Sequence, residues 1–154
     1  IEAIRTFTNA PPMVVDLPES ASHEGIIGEV QTWASGYVDT AGADPTVLGI
    51  LAQAGHNDSS AGDSDIAVIV ATPQTIFEAN LAQAAANTTA AATSLGTAYG
   101  IIARSTGTAW WVIDSSDTSN TRLRILKRRW DHAATDVNAR FEFTFFVANC
   151  ALVA

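Results

Sequence analysis

The stretch Phe141-Glu142-Phe143-Thr144-Phe145-Phe146-Val147 (FEFTFFV) decides the fold class of this chain. Apolar side chains stand at the odd positions 141, 143, 145 and 147, and Glu142 and Thr144 stand between them. A period of two residues is the pattern of a β-strand with one buried face and one polar face. We therefore predict a strand here, with the three odd-numbered phenylalanines in the core.

Other short β-prone runs precede this strand, and turn-forming residues separate them. In the second half of the chain they are residues 99–104, 109–113 (AWWVI) and 122–130 (RLRILKRRW), joined by residues 105–108 and 114–120. In the first half they are residues 25–33, 37–38, 47–52 and 66–71. Strands at this spacing predict a mainly β fold, either an antiparallel β-barrel or a sandwich.

One segment carries the signals of a helix. Thr72 is a suitable N-cap and Pro73 suits the first helical position, so we predict a short helix over about 73–81. The Ala/Thr-rich residues 82–94 could extend it, but they lack an apolar stripe and contain Asn87-Thr88-Thr89. We expect an exposed loop there, with at most a turn of helix.

The first 20 residues contain Pro11, Pro12 and Pro18, and proline cannot donate a hydrogen bond within a central strand. We therefore predict an extended N-terminal arm over residues 1–20 and a single β-rich domain over residues 21–154. The arm carries apolar side chains, so we expect it to lie on a neighbouring subunit or another protein, with Arg5 and Phe7 as anchors.

Charge and composition exclude several classes of function. The net charge is -8 and the pI is near 4.6, which argues against nucleic-acid binding, because that affinity comes from Lys and Arg replacing counterions. The single cysteine, Cys150, excludes an intrachain disulfide and a CxxC-type centre. No apolar run approaches the roughly 20 residues of a membrane span, so we expect a soluble protein with no membrane partner.

The polar stretch 54–65 (AGHNDSSAGDSD) is the strongest candidate for chemistry. An EF-hand register with Gly62 at position six puts Ala61 and Val68 where calcium needs oxygen ligands. We therefore interpret the stretch as a polar connection between strands, without a metal or cofactor. Cys150, His23, His56 and His132 lie outside any known nucleophile or metal motif, so we predict that the chain is not an enzyme.

Tryptophans and cations suggest binding surfaces instead. Trp33, Trp110, Trp111 and Trp130 either form a platform for sugars or serve the core and an interface, and the neighbours Trp110 and Trp111 must face opposite sides. In the strand at 122–130, strict alternation puts Arg122, Arg124, Leu126, Arg128 and Trp130 on one face and Leu123, Ile125, Lys127 and Arg129 on the other. This strand is either a solvated end or a docking surface for an acidic partner.

Several segments together resemble one family. Residues 28–30 (GEV), 35–38 (SGYV), 48–55 (LGILAQAG), 69–81 (IVATPQTIFEANL) and 111–114 (WVID) follow in the order seen in the capsid decoration, or cement, proteins of tailed bacteriophages. The resemblance covers roughly residues 25–148, and the Ala/Thr segment departs from it. It implies a β-rich virion protein without catalysis that binds the outside of the major capsid lattice, often as a trimer at threefold positions.

We therefore expect a structural protein that stabilises the phage head, soluble in the host cytoplasm before assembly and then on the capsid exterior. Its partners would be the major capsid protein and copies of itself, as a trimer or, alternatively, a dimer. A carbohydrate-binding or adhesin-type β module that uses exposed tryptophans is the alternative function. The candidate interface residues are Ile4, Arg5, Phe7, Pro11, Pro12, Met13, Arg124, Arg128 and Trp130.

Overall fold

The computed structural model describes residues 1–42, 46–84, 86–88, 95–104, 110–133 and 135–152. The chain is mainly β, which confirms the predicted fold class. Its described residues contain one short 3-10 helix, Val147–Asn149, and twelve strands. The strands are β1 (Glu2–Thr6), β2 (Val14–Pro18), β3 (Val30–Ala34), β4 (Tyr37–Thr40), β5 (Gly49–Leu51), β6 (Asp65–Val70), β7 (Thr75–Gln83), β8 (Ala86–Asn87), β9 (Ala98–Arg104), β10 (Trp110–Asp114), β11 (Leu123–Arg128) and β12 (Arg140–Phe145).

Five strands form a closed barrel in the order β7-β10-β9-β11-β12, because β12 pairs back onto β7. The β7–β10 pair is parallel, and the other pairs of the ring are antiparallel. β1 pairs with β7 over residues 75–78 on the edge away from β12, and β8 pairs with the far end of β7. Closing the ring removes most free strand edges, which would otherwise expose unpaired N–H and C=O groups.

The barrel interior is filled by the alternating phenylalanines. Phe141, Phe143 and Phe145 are all buried, which confirms the register predicted from FEFTFFV. Phe77 of β7 joins them, with its ring centroid 5.8 Å from that of Phe143 and 5.2 Å from that of Phe145. Offset and edge-on contacts of this kind are the favourable geometries for aromatic pairs.

A second sheet has the order β2-β6-β5-β3-β4. A parallel bridge between Glu19, which follows β2, and Val38 of β4 connects its first and last strands. The sheet has its own apolar cluster, Val38, Leu48, Leu51, Ile66 and Val68, while its Val30 and Ile50 belong to the larger cluster around the barrel phenylalanines. The two sheets therefore share one continuous body.

The predicted helix over 73–81 is wrong, since residues 75–83 form β7. Thr72 does cap, but it caps a turn: its Oγ1 accepts from the backbone N–H groups of Gln74 and Thr75. The strand that follows is buried on both faces and hydrogen-bonded along both edges, so its side chains do not alternate between apolar and polar. Tertiary pairing overrides the local helix signal.

The predicted N-terminal arm is also corrected. Residues 2–6 are β1, paired with β7 of the same chain, and residues 14–18 are β2, paired with β6. Pro11 and Pro12 lie in the connection between these strands, and Pro18 is the last residue of β2, where a missing donor is tolerated. Residues 1–20 are therefore part of the β-rich body, and the expected boundary at residue 20 does not separate an arm from it.

The predicted connections meet different outcomes. Residues 114–120 form the expected turn between β10 and β11, where the backbone N–H groups of Asn120 and Ser119 lower the pKa of Asp117. Residues 105–108, and most of the Ala/Thr segment (85 and 89–94), lie outside the described residues. Where the segment is described, the expected exposed loop is wrong, since residues 82–83 end β7 and residues 86–87 form β8, which pairs with it.

Candidate functional site

The structure separates the candidate interface residues into two groups. The N–H of Phe7 donates to the carbonyl of Gln74, and the carbonyl of Met13 accepts from the N–H of Val70. Arg124 pairs across the sheet with Thr144, and the hydroxyl of Thr144 donates to the carbonyl of Pro73. These residues therefore surround the turn at 70–75. Arg128 is the last residue of β11, and Trp130 lies two residues beyond it. Arg128 is roughly 10 Å from Arg124, because their partners Thr144 and Phe141 are three residues apart on β12.

Within the first group, only part of the set is accessible. Phe7 and Met13 are exposed, as is Pro11, while Pro12 and Ile4 are half-buried. Ile4 sits at a register shift in the β1–β7 pairing. Arg5 is not a free anchor, because its Nη2 lies 2.8 Å from Glu142 Oε2 on β12.

A register shift in β11 changes which residues share a face. Ile125 pairs with Phe143, but Lys127 pairs with Glu142, so Leu126 is an extra residue in the strand. A bulge of this kind resets the alternation. Lys127 consequently lies on the outer face with Glu142, and the strict alternation predicted for residues 122–130, which grouped Lys127 with Leu123 and Ile125, is wrong beyond Leu126.

Three glutamates on the outer face of the barrel form ion pairs with four of the cations. Glu2 of β1, Glu78 of β7 and Glu142 of β12 lie directly opposite one another across adjacent strands. Like charges in that arrangement repel, and Glu78 and Glu142 are also buried. Four cations surround them and form ion pairs: Arg5 and Lys127 with Glu142, Arg129 and Arg140 with Glu78, and Arg140 with Glu2.

This charge network takes up much of the cationic stretch. Arg129 also contacts Asp131 at 2.8 Å, and the hydrogen bond that it donates to the Glu78 carboxylate raises its pKa above the ordinary value. Arg122 is buried, and Arg124 lies over the ring of Phe146 at 5.5 Å. Among the described residues, no ion pair involves Arg124 or Arg128, and Arg124 already contacts Phe146, so the cationic docking surface is narrower than the sequence suggests.

Arg128 lies beside the most exposed large apolar side chain described. Trp130 is 91% exposed, in the segment that joins β11 to β12. Together with Leu95 and His132 these residues line a shallow cleft of about 320 Å³. We call this set, Leu95, Arg128, Trp130 and His132, the Trp130 edge. It contains two of the side-chain types that most often anchor protein interfaces, Trp and Arg.

The other tryptophans are less available. Trp111 is buried, in agreement with the expectation that one member of the adjacent pair faces inward. The side chain of Trp110 lies outside the described set. Trp33, on β3 of the second sheet, is 36% exposed. The tryptophans with described side chains therefore do not form one continuous platform.

The polar stretch 54–65 does connect two strands, β5 and β6, as predicted. It also packs against residues 19–25: Gly55 and Asn57 donate N–H groups to the carbonyls of Gly25 and His23, and Ser22 donates to Asp58. A Cβ at Gly55 would lie 2.4 Å from the His23 carbonyl, so only glycine allows this approach.

Glu19 lies at the centre of this contact and is 1% exposed. Its Oε1 accepts from His23 Nδ1 at 2.9 Å and from the His56 N–H at 3.0 Å, and its Oε2 lies 2.6 Å from His56 Nδ1. Asp58 lies next to them, and one donor atom from each of Glu19, His56 and Asp58 falls within 4.8 Å of the others. We call Glu19, His23, His56 and Asp58 the Glu19 cluster.

Sequence reasoning missed Glu19 because it lies 37 residues from His56 and belongs to no short motif. The only available signal was a lone glutamate, with His23 four residues later, directly after a strand. Cys150, in contrast, fits its expected role as a structural thiol, since it is buried and burial raises its pKa to about 11.

No family model, curated protein or solved structure matches this chain. In the part of the chain that the structure describes, no helix has the length and apolar character needed to cross a membrane.

Proposed function

We propose that this chain is a non-catalytic structural protein of a tailed-phage virion, which binds the outer surface of the major capsid lattice and stabilises the head. The observation that carries the proposal is Trp130, 91% exposed beside Arg128, a cation without an ion-pair partner among the described residues. The mainly β body and the order of segments that resembles decoration proteins support the same function.

The free energy gained by burying its indole explains why Trp130 would anchor the contact. A buried Trp removes about 150–250 Å² of surface from water, which at about 25 cal/mol per Å² contributes about 4–6 kcal/mol before the costs of association. Arg128 would add orientation, because a guanidinium binds a carboxylate in a defined bidentate geometry. We therefore infer that the occupant is an acidic patch with an adjoining apolar pocket on the capsid protein.

The overall charge of the chain favours one orientation of the protein on the capsid. The chain carries a net charge of -8, so most of its surface is repelled by an acidic lattice. The end of β11 approaches such a surface with the opposite sign. Binding through the Trp130 edge would then weaken as salt rises, and it would leave the rest of the body facing outward on the capsid exterior.

Self-association is a separate part of the proposal. The exposed side chains of Phe7, Met13 and Val14 lie around the turn at 70–75, near the Arg124 end of β11 and away from the Trp130 edge. We propose that this end forms the contact between copies, as a trimer, with a dimer as the alternative. Light scattering of wild type and of Phe7→Ser tests it, because a constant monomer mass for both would exclude self-association in solution.

The capsid proposal is tested by co-sedimentation with phage heads that lack a decoration protein. Trp130→Ala should reduce retention at least tenfold, and Arg128→Ala should reduce it less and flatten its salt dependence. Trp33→Ala is the matched control, since it removes a partly exposed tryptophan from the other sheet. Equal retention of Trp130→Ala and wild type would exclude the Trp130 edge, and failure of wild type to bind heads would exclude the function.

Trp130 also supports the alternative of carbohydrate binding, because an exposed indole beside His132 and Arg129 in an open cleft can stack on a sugar ring. The same variants distinguish the two functions on a glycan array. Glycan binding that Trp130→Ala abolishes, together with no retention on heads, would replace the capsid proposal.

A further inference from the structure

The Glu19 cluster has the composition of a metal site. Three donor atoms, a carboxylate oxygen of Glu19, an imidazole nitrogen of His56 and a carboxylate oxygen of Asp58, lie within 4.8 Å of one another. The residues come from two segments, 19–25 and 54–65, which are held together by five backbone hydrogen bonds and by one from Asn57 Nδ2 to Glu24 Oε1. The donors are therefore placed by a scaffold, which distinguishes them from a chance group of surface acids.

A second observation points into the same place. Asp58 Oδ2 is buried and has no hydrogen-bond partner, whereas both oxygens of Glu19 are bonded. A buried anionic oxygen without a donor is costly, and native structures seldom leave one. A cation between Asp58, Glu19 and His56 would supply the missing partner.

We propose that Glu19, His56 and Asp58 bind a divalent transition-metal ion, Zn²⁺ by the chemistry of the donors. Zn²⁺ accepts one imidazole and two carboxylates with a fourth position for water. Ca²⁺ needs six to eight oxygen ligands and is a poor match. This proposal is independent of capsid binding.

The distances allow coordination after small movements. Metal–donor bonds of about 2.0–2.2 Å place donors on one tetrahedral ion roughly 3.3–3.5 Å apart. His56 Nδ1 and Glu19 Oε2, at 2.6 Å, must separate slightly, and the wider pairs must close. The imidazole of His56 is about one-third exposed, so it can rotate and also provides the path of entry.

Binding would change the tautomer of His56. The short contact between His56 Nδ1 and Glu19 Oε2 holds one proton, and Gln53 Nε2 lies 2.8 Å from His56 Nε2, where it donates to the other ring nitrogen. Coordination through Nδ1 requires the neutral ring to carry that proton on Nε2 instead, and Gln53 then turns its amide so that its oxygen accepts from Nε2–H. His23 would remain outside the coordination sphere and hold Glu19 Oε1 through its Nδ1–H, as groups behind metal ligands commonly do.

The test titrates ZnCl₂ into chelator-treated protein and follows melting temperature and calorimetry. Wild type should bind one ion and gain about 5 °C or more at a hundredfold excess over Kd. Asp58→Asn should lose most of that shift and weaken binding at least tenfold. Because its Oδ2 makes no hydrogen bond, this variant should keep the melting temperature of the metal-free wild type.

His56→Gln is the second variant, and His132→Gln is the matched control, since His132 lies 3.5 Å from Asp136 in another His–Asp pair. The control should bind Zn²⁺ like wild type. The proposal is overturned if Zn²⁺ leaves the melting temperature unchanged, if Asp58→Asn retains the full shift, or if His132→Gln alone removes it. In each case the Glu19 cluster is a hydrogen-bonded connection between loops and nothing more.

Discussion

The barrel and the Glu19 cluster stabilise the same chain by opposite means. The barrel buries four phenylalanines against one another and keeps its carboxylates at the outer face, where four cations neutralise them. The second sheet instead buries a glutamate between two histidines at the bridge that connects its first and last strands. The barrel depends on a repeating local pattern and the cluster on a few residues from distant segments, so the two regions should respond differently to substitution.

Deleting residues 1–15 should have the largest effect, because it removes β1 from the barrel and two of the five residues of β2 from the second sheet. We expect the truncated chain to lose cooperative unfolding, measured by thermal melting with circular dichroism. Phe7→Ser, a change at an exposed position in the same segment, should shift the melting temperature little. A stable, cooperative truncated protein would restore the independent arm predicted from the sequence.

Phe143→Ala tests the barrel alone. Phe143 is fully buried against Phe77 and Phe145, so the variant should lose about 3–5 kcal/mol in the free energy of unfolding. The neighbouring Thr144→Ala should lose about 1 kcal/mol, since it gives up one hydrogen bond to Pro73 O. Urea denaturation measures both, and equal losses would contradict the inward register of β12.

Glu19→Ala tests the polar region in the presence of a chelator. It leaves the Nδ1–H of His23 and the N–H of His56 without an acceptor, so we expect a loss of about 2–3 kcal/mol. Glu24→Ala is the matched control, since Glu24 is exposed and accepts a single bond from Asn57. If the two variants lose the same stability, the buried carboxylate is no more important than a surface one.

Cys150 offers the smallest effect and a dependence on pH. Burial raises the thiol pKa from 9.0 to about 11 in the folded state, so the folded protein resists ionisation more than the unfolded chain does. The stability that the protonated thiol gives to the folded state is fully present below pH 9 and is lost as pH rises from 9 to 11. At pH 10 the free energy of unfolding is lower by about 1 kcal/mol. Cys150→Ala should lack this component, and parallel stability–pH curves for the two proteins would contradict it.

The parts of the fold that the sequence predicts are those in which neighbouring residues carry the information. β12, β6 and the turn at 114–120 follow from alternation and turn residues. β7 does not, because burial on both faces removes the alternation and Thr72-Pro73 imitates a helix start. The bulge at Leu126 inserts a residue that no pattern marks, and it alone moves Lys127 to the other face.

The candidate sites follow the same rule. Trp130 and Arg128 were predictable, because an aromatic residue among cations is visible in a short window. The Glu19 cluster was not, because its geometry depends on contacts between residues 19–25 and 53–58, which are distant in the sequence. The pairing of the cations with Glu2, Glu78 and Glu142 also required the barrel, since each glutamate comes from a different strand.

The position of β7 has a consequence for the speed of folding. Glu78 of β7 pairs with Glu2 and with Glu142, which are 76 and 64 residues away along the chain. Neither of these pairings of β7 can therefore form as a short hairpin. Loops of this length must close before the contacts between them contribute, and domains dominated by such contacts fold in milliseconds to seconds. Until then β7 has unpaired edges on an apolar strand, which makes the refolding chain prone to aggregate at high concentration.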